Sequence, residues 1–402
     1  MKNFISILIS FLLMGFADSI DNFFNHAISI DAIVACASLF SIGLILRSIG
    51  DIGTYTYRIV RKNEWSYLTI NIIICLVLGF VVFFSKSYIV NMFDLTFAQK
   101  ELVINILSLY VLYLLLDRLS NSLFEITRLR ENIKLYQKSL FLFYIILISL
   151  DTIVFITTKS LVLLFCSTMF CWLVSIIYIS YNLNLKYQFP NKETFYNVYK
   201  YGIPMTLERL LSRVFLLIYG VIASHMGTYN YSVHAICYAV CLNLELVTNA
   251  YEAALMIELP KYKDYNERYI NAMEIKKKYF PLILIINYVM CFLYLFIEHG
   301  ALPLKDCFPY ILLYGSAVFG LYKYETNKVL CITEGKPKTL LFGSLVGVII
   351  RVVICIIFLN SSYNLYVFGI INLIDFFIRG VIFEKVLNKE KIIINNKKII
   401  LE

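Results

Sequence analysis

The chain has 402 residues, 60% of them hydrophobic and only 16% charged, with a mean hydropathy of +0.75. That balance excludes a water-soluble globular domain and predicts a polytopic membrane protein. The net charge of +9 is spread through short segments between apolar runs rather than gathered in one basic domain, which excludes nucleic acid as a partner.

Apolar runs of about twenty residues, the length that crosses a bilayer, recur along the whole chain. The first six predicted spans are Phe4–Phe24, Ala32–Tyr57, Leu68–Met92, Val103–Ile126, Leu140–Thr158 and Leu161–Tyr181. The last six are Val198–Ala223, Val233–Ile257, Tyr279–Ile297, Phe308–Ile332, Leu340–Leu359 and Tyr366–Val386. Basic loops (Arg58/Arg61/Lys62, Arg128/Arg130/Lys134/Lys138, Lys186/Lys192/Lys200, Lys261 to Lys278, Lys336/Lys338) alternate with near-neutral ones such as Glu298/His299/Lys305/Asp306. The positive-inside rule then places both termini in the cytoplasm. A polar break around Pro190 divides the chain into an N-terminal lobe, residues 1–188, and a C-terminal lobe, residues 189–402. Two six-helix lobes that enter the membrane in the same sense are the architecture of an alternating-access transporter, with the substrate path between them.

Asp18 is the most telling single residue, because a carboxylate deep in an apolar span is tolerated only against a cavity or a partner. Asp151 occupies a similar position in the fifth span. Two carboxyls sharing one cavity bind a proton, or with neighbouring oxygens Na⁺, which is what a coupled antiporter requires. Asp21, near the outer end of the first span, is expected to be solvated, and Glu125 to be exposed. Arg47 and Asp51, like Asp375 and Arg379, stand four apart and are expected to close intrahelical salt bridges that lock a gate. Asp117 and Arg118 form a further candidate ion pair. Glu208, Arg209, Ser212, Arg213, His234, Glu245 and Arg351 are the expected substrate-cavity residues, the arginines because guanidinium forks suit phosphate or carboxylate. The ten cysteines read as small buried hydrophobes without metal-ligand spacing. No Walker A, HExxH, nucleophile elbow or dinucleotide loop occurs, so enzyme chemistry and a resident metal are not expected.

Several motifs carry a family resemblance. Gly15-Phe16-Ala17-Asp18-Ser19-Ile20 resembles the G-F-V-D-T-I segment of multidrug and toxic compound extrusion (MATE) transporters. Gly202-Ile203-Pro204, Ala223-Ser224-His225-Met226-Gly227 and Val233-His234-Ala235-Ile236 resemble that family's seventh- and eighth-helix progression. Asp151-Thr152-Ile153-Val154-Phe155 is similar to its fifth-helix D-P-x-L-I-F, and Gly335-Lys336-Pro337-Lys338 to the linker after helix ten. Departures are Leu147 for an Asn, Thr152 for a Pro, Ala235 for a Gln, and Ser212 where some members carry an acid. The resemblance implies an all-α, MATE-like integral membrane protein of about twelve helices in two pseudo-symmetric lobes, in which Asp18 couples a cation. The expected function is H⁺- or Na⁺-coupled export of amphiphilic or drug-like small molecules by a monomer in the cell membrane, with no cofactor beyond the coupling ion. A flippase for lipid-linked saccharides of the same superfamily, with Arg209, Arg213 and Arg351 on the phosphate, is the first alternative. A non-transporting scaffold or channel is the second.

Overall fold

A computed structural model describes residues 4–358 and 364–401, so Leu359, the expected end of the eleventh span, lies outside the described residues. The first half comprises α1 (Phe4–Ile28), α2 (Ile30–Gly50), α3 (Ile52–Val60), α4 (Glu64–Val90), α5 (Phe97–Ser108), α6 (Tyr110–Leu129), α7 (Ile133–Thr157) and α8 (Leu161–Leu183). The second comprises α9 (Lys192–Asn197), α10 (Ile203–Ser224), α11 (Thr228–Glu258), α12 (Tyr265–Glu298), α13 (Leu304–Gly315), α14 (Val318–Thr333), α15 (Pro337–Phe358) and α16 (Asn364–Leu401). A π-helical turn at Val198–Gly202 leads into α10.

Among the described residues nine helices are long and apolar enough to cross a membrane, and α5 with α6, bent by 60°, add a tenth when taken as one span. The remaining two of twelve are α10 and the α13/α14 pair. Their departure from a simple apolar run has a visible cause: α10 carries Glu208, Arg209 and Arg213, and α14 carries Lys323, Glu325 and Lys328. The fourth crossing of each half is interrupted, at Leu109 in the first and at Ser316–Ala317 in the second. That correspondence is what an internal repeat gives.

Polar residues between spans are used as caps. Ser29 accepts from the Ala32 amide at the start of α2, Asn132 from Leu135 at α7 and Ser160 from Leu163 at α8, while Thr96 and Gln99 form a reciprocal capping box at α5. Small residues allow close helix approach. A Cβ on Gly53 would collide with the Tyr67 carbonyl and the Asn71 side chain of α4, and Gly300 (φ +56°) turns directly beneath the backbone of His26. The halves meet where α1 runs along α11 and α12 and α2 runs along α10 and α11. Lipid-facing surfaces are lined by exposed Phe, Ile, Leu and Val, for example Phe84 and Ile156. The nine described cysteines are all free.

Candidate translocation cavity

Between the two halves lies a cavity of ≈520 Å³, with walls from α1, α2, α6, α7, α8, α10 and α11. Its first-half wall is strongly aromatic. Tyr113 is stacked on Tyr110 at 5.1 Å and meets the Trp172 edge at 4.8 Å and Phe165 at 5.4 Å. A smaller cavity of ≈80 Å³ adjoins it and shares Arg213, Tyr238, Glu245 and Asn249.

Asp18 is half-buried on the cavity wall and accepts a hydrogen bond from the Tyr144 hydroxyl of α7 at 3.0 Å. It closes no ion pair among the described residues. Asp151 does not line the cavity; it is fully buried and accepts from the Ser167 hydroxyl of α8. It is linked to the cavity by Asp21, whose half-buried carboxyl lies one turn beyond Asp18 on α1 and within hydrogen-bonding reach of the Asp151 carboxyl. Asp21 is thus a member of the acid cluster rather than a solvated end residue. Its distance from the middle of the span hid this, because only the packing of α7 against α1 brings Asp151 to it.

The charges of α2 and α6 form a chain. Arg118 pairs with Asp51 at 2.6 Å and with Asp117 at 2.7 Å, and Arg47 pairs with Asp117 at 2.8 Å and bonds the Tyr113 hydroxyl at 3.3 Å. The expected Arg47–Asp51 bridge is not made. The backbone keeps the four-residue register there, the Asp51 amide bonding the Arg47 carbonyl at 3.1 Å, but helix α6 supplies both side chains with other partners: Arg118 takes Asp51 and Asp117 takes Arg47. The expected Asp117–Arg118 pair is present.

Nearer the face that carries Phe4 and Leu387, a second network crosses between the halves. Arg58 of α3 reaches Glu125 at 3.0 Å and Glu252 of α11 at 3.5 Å, and Lys328 holds Glu252 at 3.0 Å and Glu325 at 2.5 Å. Arg128 pairs with Glu125 as well. Glu125, expected to be exposed, is buried because α3 and α11 cover it. Arg61 adds a 2.6 Å bond to the Met256 carbonyl.

A third network lies within the second half. Arg379 and Asp375 close the expected i,i+4 pair at 2.6 Å, and Arg351 pairs with the same carboxylate. Arg379 also bonds Ser212 Oγ at 3.1 Å and approaches Glu208 at 3.6 Å, which accepts from Tyr324 at 2.5 Å and Ser344 at 3.1 Å. Arg351 donates to the Ser212 carbonyl at 3.1 Å. Of the expected substrate-cavity residues, Glu208, Arg209, Ser212 and Arg351 therefore line only the smaller cavity, whereas Arg213, His234 and Glu245 face the central one. His234 is buried, with Nδ1 at 2.9 Å from the Tyr314 hydroxyl.

Opposite the charged network, the halves are fastened by a carboxyl that the sequence places in a loop. Glu298 is the last residue of α12 and is fully buried. It accepts from Ser19 at 2.6 Å, Asn22 at 3.1 Å and Asn243 at 2.7 Å, while its backbone carbonyl meets His26 at 3.0 Å. The Tyr231 and Ser38 hydroxyls, 3.1 Å apart, join α11 to α2 at the same level.

The overall architecture matches solved structures along almost its entire length. One is a MATE in complex with MaD5, at 14% identity, with 97% of this chain and 96% of that one covered and a TM-score of 0.71. Another is the outward-facing conformation of a multidrug resistance MATE family transporter of the MOP superfamily, at 15% identity, 96% and 95% coverage and a TM-score of 0.68. The fold is that of the MATE transporters. A further structure with this fold is a MOP superfamily transporter from Pyrococcus furiosus, described as having a binding pocket of reverse polarity that suggests a different function, at 14% identity, 97% and 96% coverage and a TM-score of 0.67. No protein-family model matches the chain, and no curated protein matches it by sequence. At these identities the likeness establishes the MATE fold, with its two lobes of six crossings, and leaves substrate and coupling to be argued from the cavity. Among the described residues no cluster of three or more His, Cys, Asp or Glu has metal-binding geometry.

Proposed function

We propose that this chain is a secondary active transporter that exports amphiphilic small molecules in exchange for H⁺ or Na⁺, cycling between two arrangements of its halves. The observation that carries the reading is the acid cluster on α1. Asp18 and Asp21 face the cavity without closing an ion pair among the described residues, and Asp21 meets Asp151 behind it. Two facing carboxyls repel when both are charged, and a proton or Na⁺ between them removes that repulsion. Binding there draws α1 toward α7 and α8. Because α1 also lies along α11 and α12, the cation's arrival is transmitted to the contact between halves. The aromatic wall provides the apolar surface for the cargo. On the positive-inside pattern the protein lies in the cell membrane with both termini cytoplasmic, so the Arg58–Glu252 network closes the cytoplasmic side and the Glu298 contacts close the outer one.

The test is efflux of a fluorescent amphiphile from proteoliposomes under imposed pH or Na⁺ gradients, for the parent, Asp18→Asn and Asp21→Asn. Gradient-driven transport by the parent that is lost in both variants is the expected result. Transport unaffected by either substitution refutes the coupling assignment. A flippase for lipid-linked saccharides is the second reading, favoured by Arg209 and Arg213, which close no ion pair among the described residues. Translocation of a pyrophosphate-linked lipid that depends on these arginines and not on Asp18 would replace the first reading.

A further inference from the structure

Arg213 stands apart from the other arginines of the cavity walls. Arg47, Arg118, Arg351 and Arg379 are each consumed in an ion pair, and Arg209 lies over the Tyr55 ring at 5.2 Å. Among the described residues Arg213 has no ion pair, hydrogen bond or ring contact, although it lines both cavities. Glu245 of α11 lines the same two cavities, and its carboxylate has no hydrogen bond or ion pair among the described residues either. The two feel each other's charge but lie beyond the 4.0 Å of an ion pair. Neither has a charged atom sealed away from the cavity. Tyr238, within reach of both charges, forms part of the same wall.

Opposite charges in a low-dielectric interior attract strongly and ordinarily close, as the three networks of this protein do. A pair left open, with both members facing one cavity, offers an anion site and a cation site separated by a gap. The geometry points to a zwitterionic cargo whose carboxylate or phosphate takes the Arg213 fork while its cationic group faces Glu245, with an aromatic body against Tyr238 and Trp172. The inference rests on the transporter reading and specifies the chemistry of what is carried. A purely cationic amphiphile meets Arg213 as a repulsive neighbour. A purely anionic one meets Glu245, Asp18 and Asp21. Only a molecule with both charges satisfies the open pair, and a bidentate guanidinium contact gives the anionic group its specificity. The cavity volume of ≈520 Å³ falls in the range of about 300–1,000 Å³ that small-molecule sites occupy.

Three dyes that share one ring body separate the possibilities: rhodamine 110, a zwitterion; rhodamine 123, its cationic methyl ester; and fluorescein, an anion. Binding to the full chain in lipid nanodiscs is read by fluorescence anisotropy without any gradient, so the result is independent of whether coupling works. Rhodamine 110 is expected to bind at least about tenfold tighter than the other two. Arg213→Gln lowers rhodamine 110 to the level of its ester and leaves the ester unchanged or up to about threefold tighter, whereas Arg213→Lys retains part of the preference. Glu245→Gln weakens both rhodamines, which share the cationic ring system. A parent that prefers the ester, prefers fluorescein, or binds none of the three overturns the proposal. So does a rhodamine 110 preference that survives Arg213→Gln. If rhodamine 110 binds as expected but no gradient drives its efflux, the site stands as a binding site and the transporter reading falls.

Discussion

Asp375 is the residue whose removal the structure expects to cost most stability. Its carboxylate is fully buried and serves two arginines that are themselves almost completely buried, Arg351 at 3% exposure and Arg379 at 1%. In Asp375→Asn, Arg379 retains Ser212, Ser344 and the longer 3.6 Å approach to Glu208, whereas Arg351 is left with the Ser212 carbonyl. Removing one member of a buried ion pair costs about 3–5 kcal/mol, because the surviving charge stays buried without compensation. The partial rescue by Glu208 puts this variant at the lower end, about 3 kcal/mol. Arg351→Met is expected to cost much less, since Asp375 retains Arg379 and Phe215, over which Arg351 lies at 5.8 Å, gains an apolar neighbour. The double variant Asp375→Asn/Arg351→Met should recover at least about 1.5 kcal/mol relative to the sum of the singles, the coupling expected of contacting charges. The assay is thermal unfolding in detergent followed by fluorescence-detected gel filtration. Asp375→Asn should lower the midpoint by several degrees, and a shift within 1 °C or strict additivity in the double variant would refute the argument.

Asn243→Leu removes the donor that bonds both Ser19 at 3.0 Å and Glu298 at 2.7 Å and leaves a buried carboxyl with one partner fewer, at a cost of about 1–3 kcal/mol. Hydrogen exchange along residues 19–28 should quicken, and unchanged protection there would show that Glu298 does not fasten α1. Arg58→Ala cuts the contact between Glu125 and Glu252 across the halves and should increase labelling of a cysteine placed at the cavity end of α11, in a background without native cysteines. Equal labelling would mean that Arg61, through the Met256 carbonyl, closes this face without Arg58. Gly53→Ala forces a methyl group into the Tyr67 carbonyl and should cost about 1–3 kcal/mol, read as lower folded yield and midpoint, whereas parent-like stability would show that α3 and α4 can separate freely.

Most of the crossings are legible in the sequence because each must satisfy a single solvent, the hydrocarbon, which apolar length reports; α10 and the α13/α14 pair, interrupted by charges, are the weaker signals. The breaks are less so. Nothing in Leu109 marks the bend between α5 and α6, and Asp51 looks like an ordinary i+4 partner of Arg47 until α6 brings Asp117 to the arginine and Arg118 to the acid. Asp375 and Arg379, by contrast, sit inside an uninterrupted helix, so the four-residue spacing was sufficient to anticipate their pair. Glu125 and Glu298 mislead for the same reason: a charged residue at a helix end reads as solvated unless its partners are known, and Glu125 is held by Arg58 of α3 and by Arg128, while Glu298 is held by Ser19 and Asn22 from the other half of the chain.

Helix α1 shows how far residue-level reading goes. Asp18 was visible because an acid in an apolar span is expensive, whereas Ser19 and Asn22 are polar residues that a membrane helix tolerates without comment. In the folded protein, Asp18 and Asp21 form one i,i+3 pair turned to α7 and the cavity, with Tyr144 and Asp151 as partners. Ser19 and Asn22 form a second such pair, displaced by one residue and so by about 100° around the helix, turned to Glu298 of α12. A rotation or bend of α1 that improves one set of contacts disturbs the other, because the two pairs share a backbone. The acid cluster of the first half and the buried carboxyl of the second are therefore mechanically opposed through five residues of one helix, Asp18 to Asn22, and a charge change on the cavity side reaches the contact between halves without any longer path.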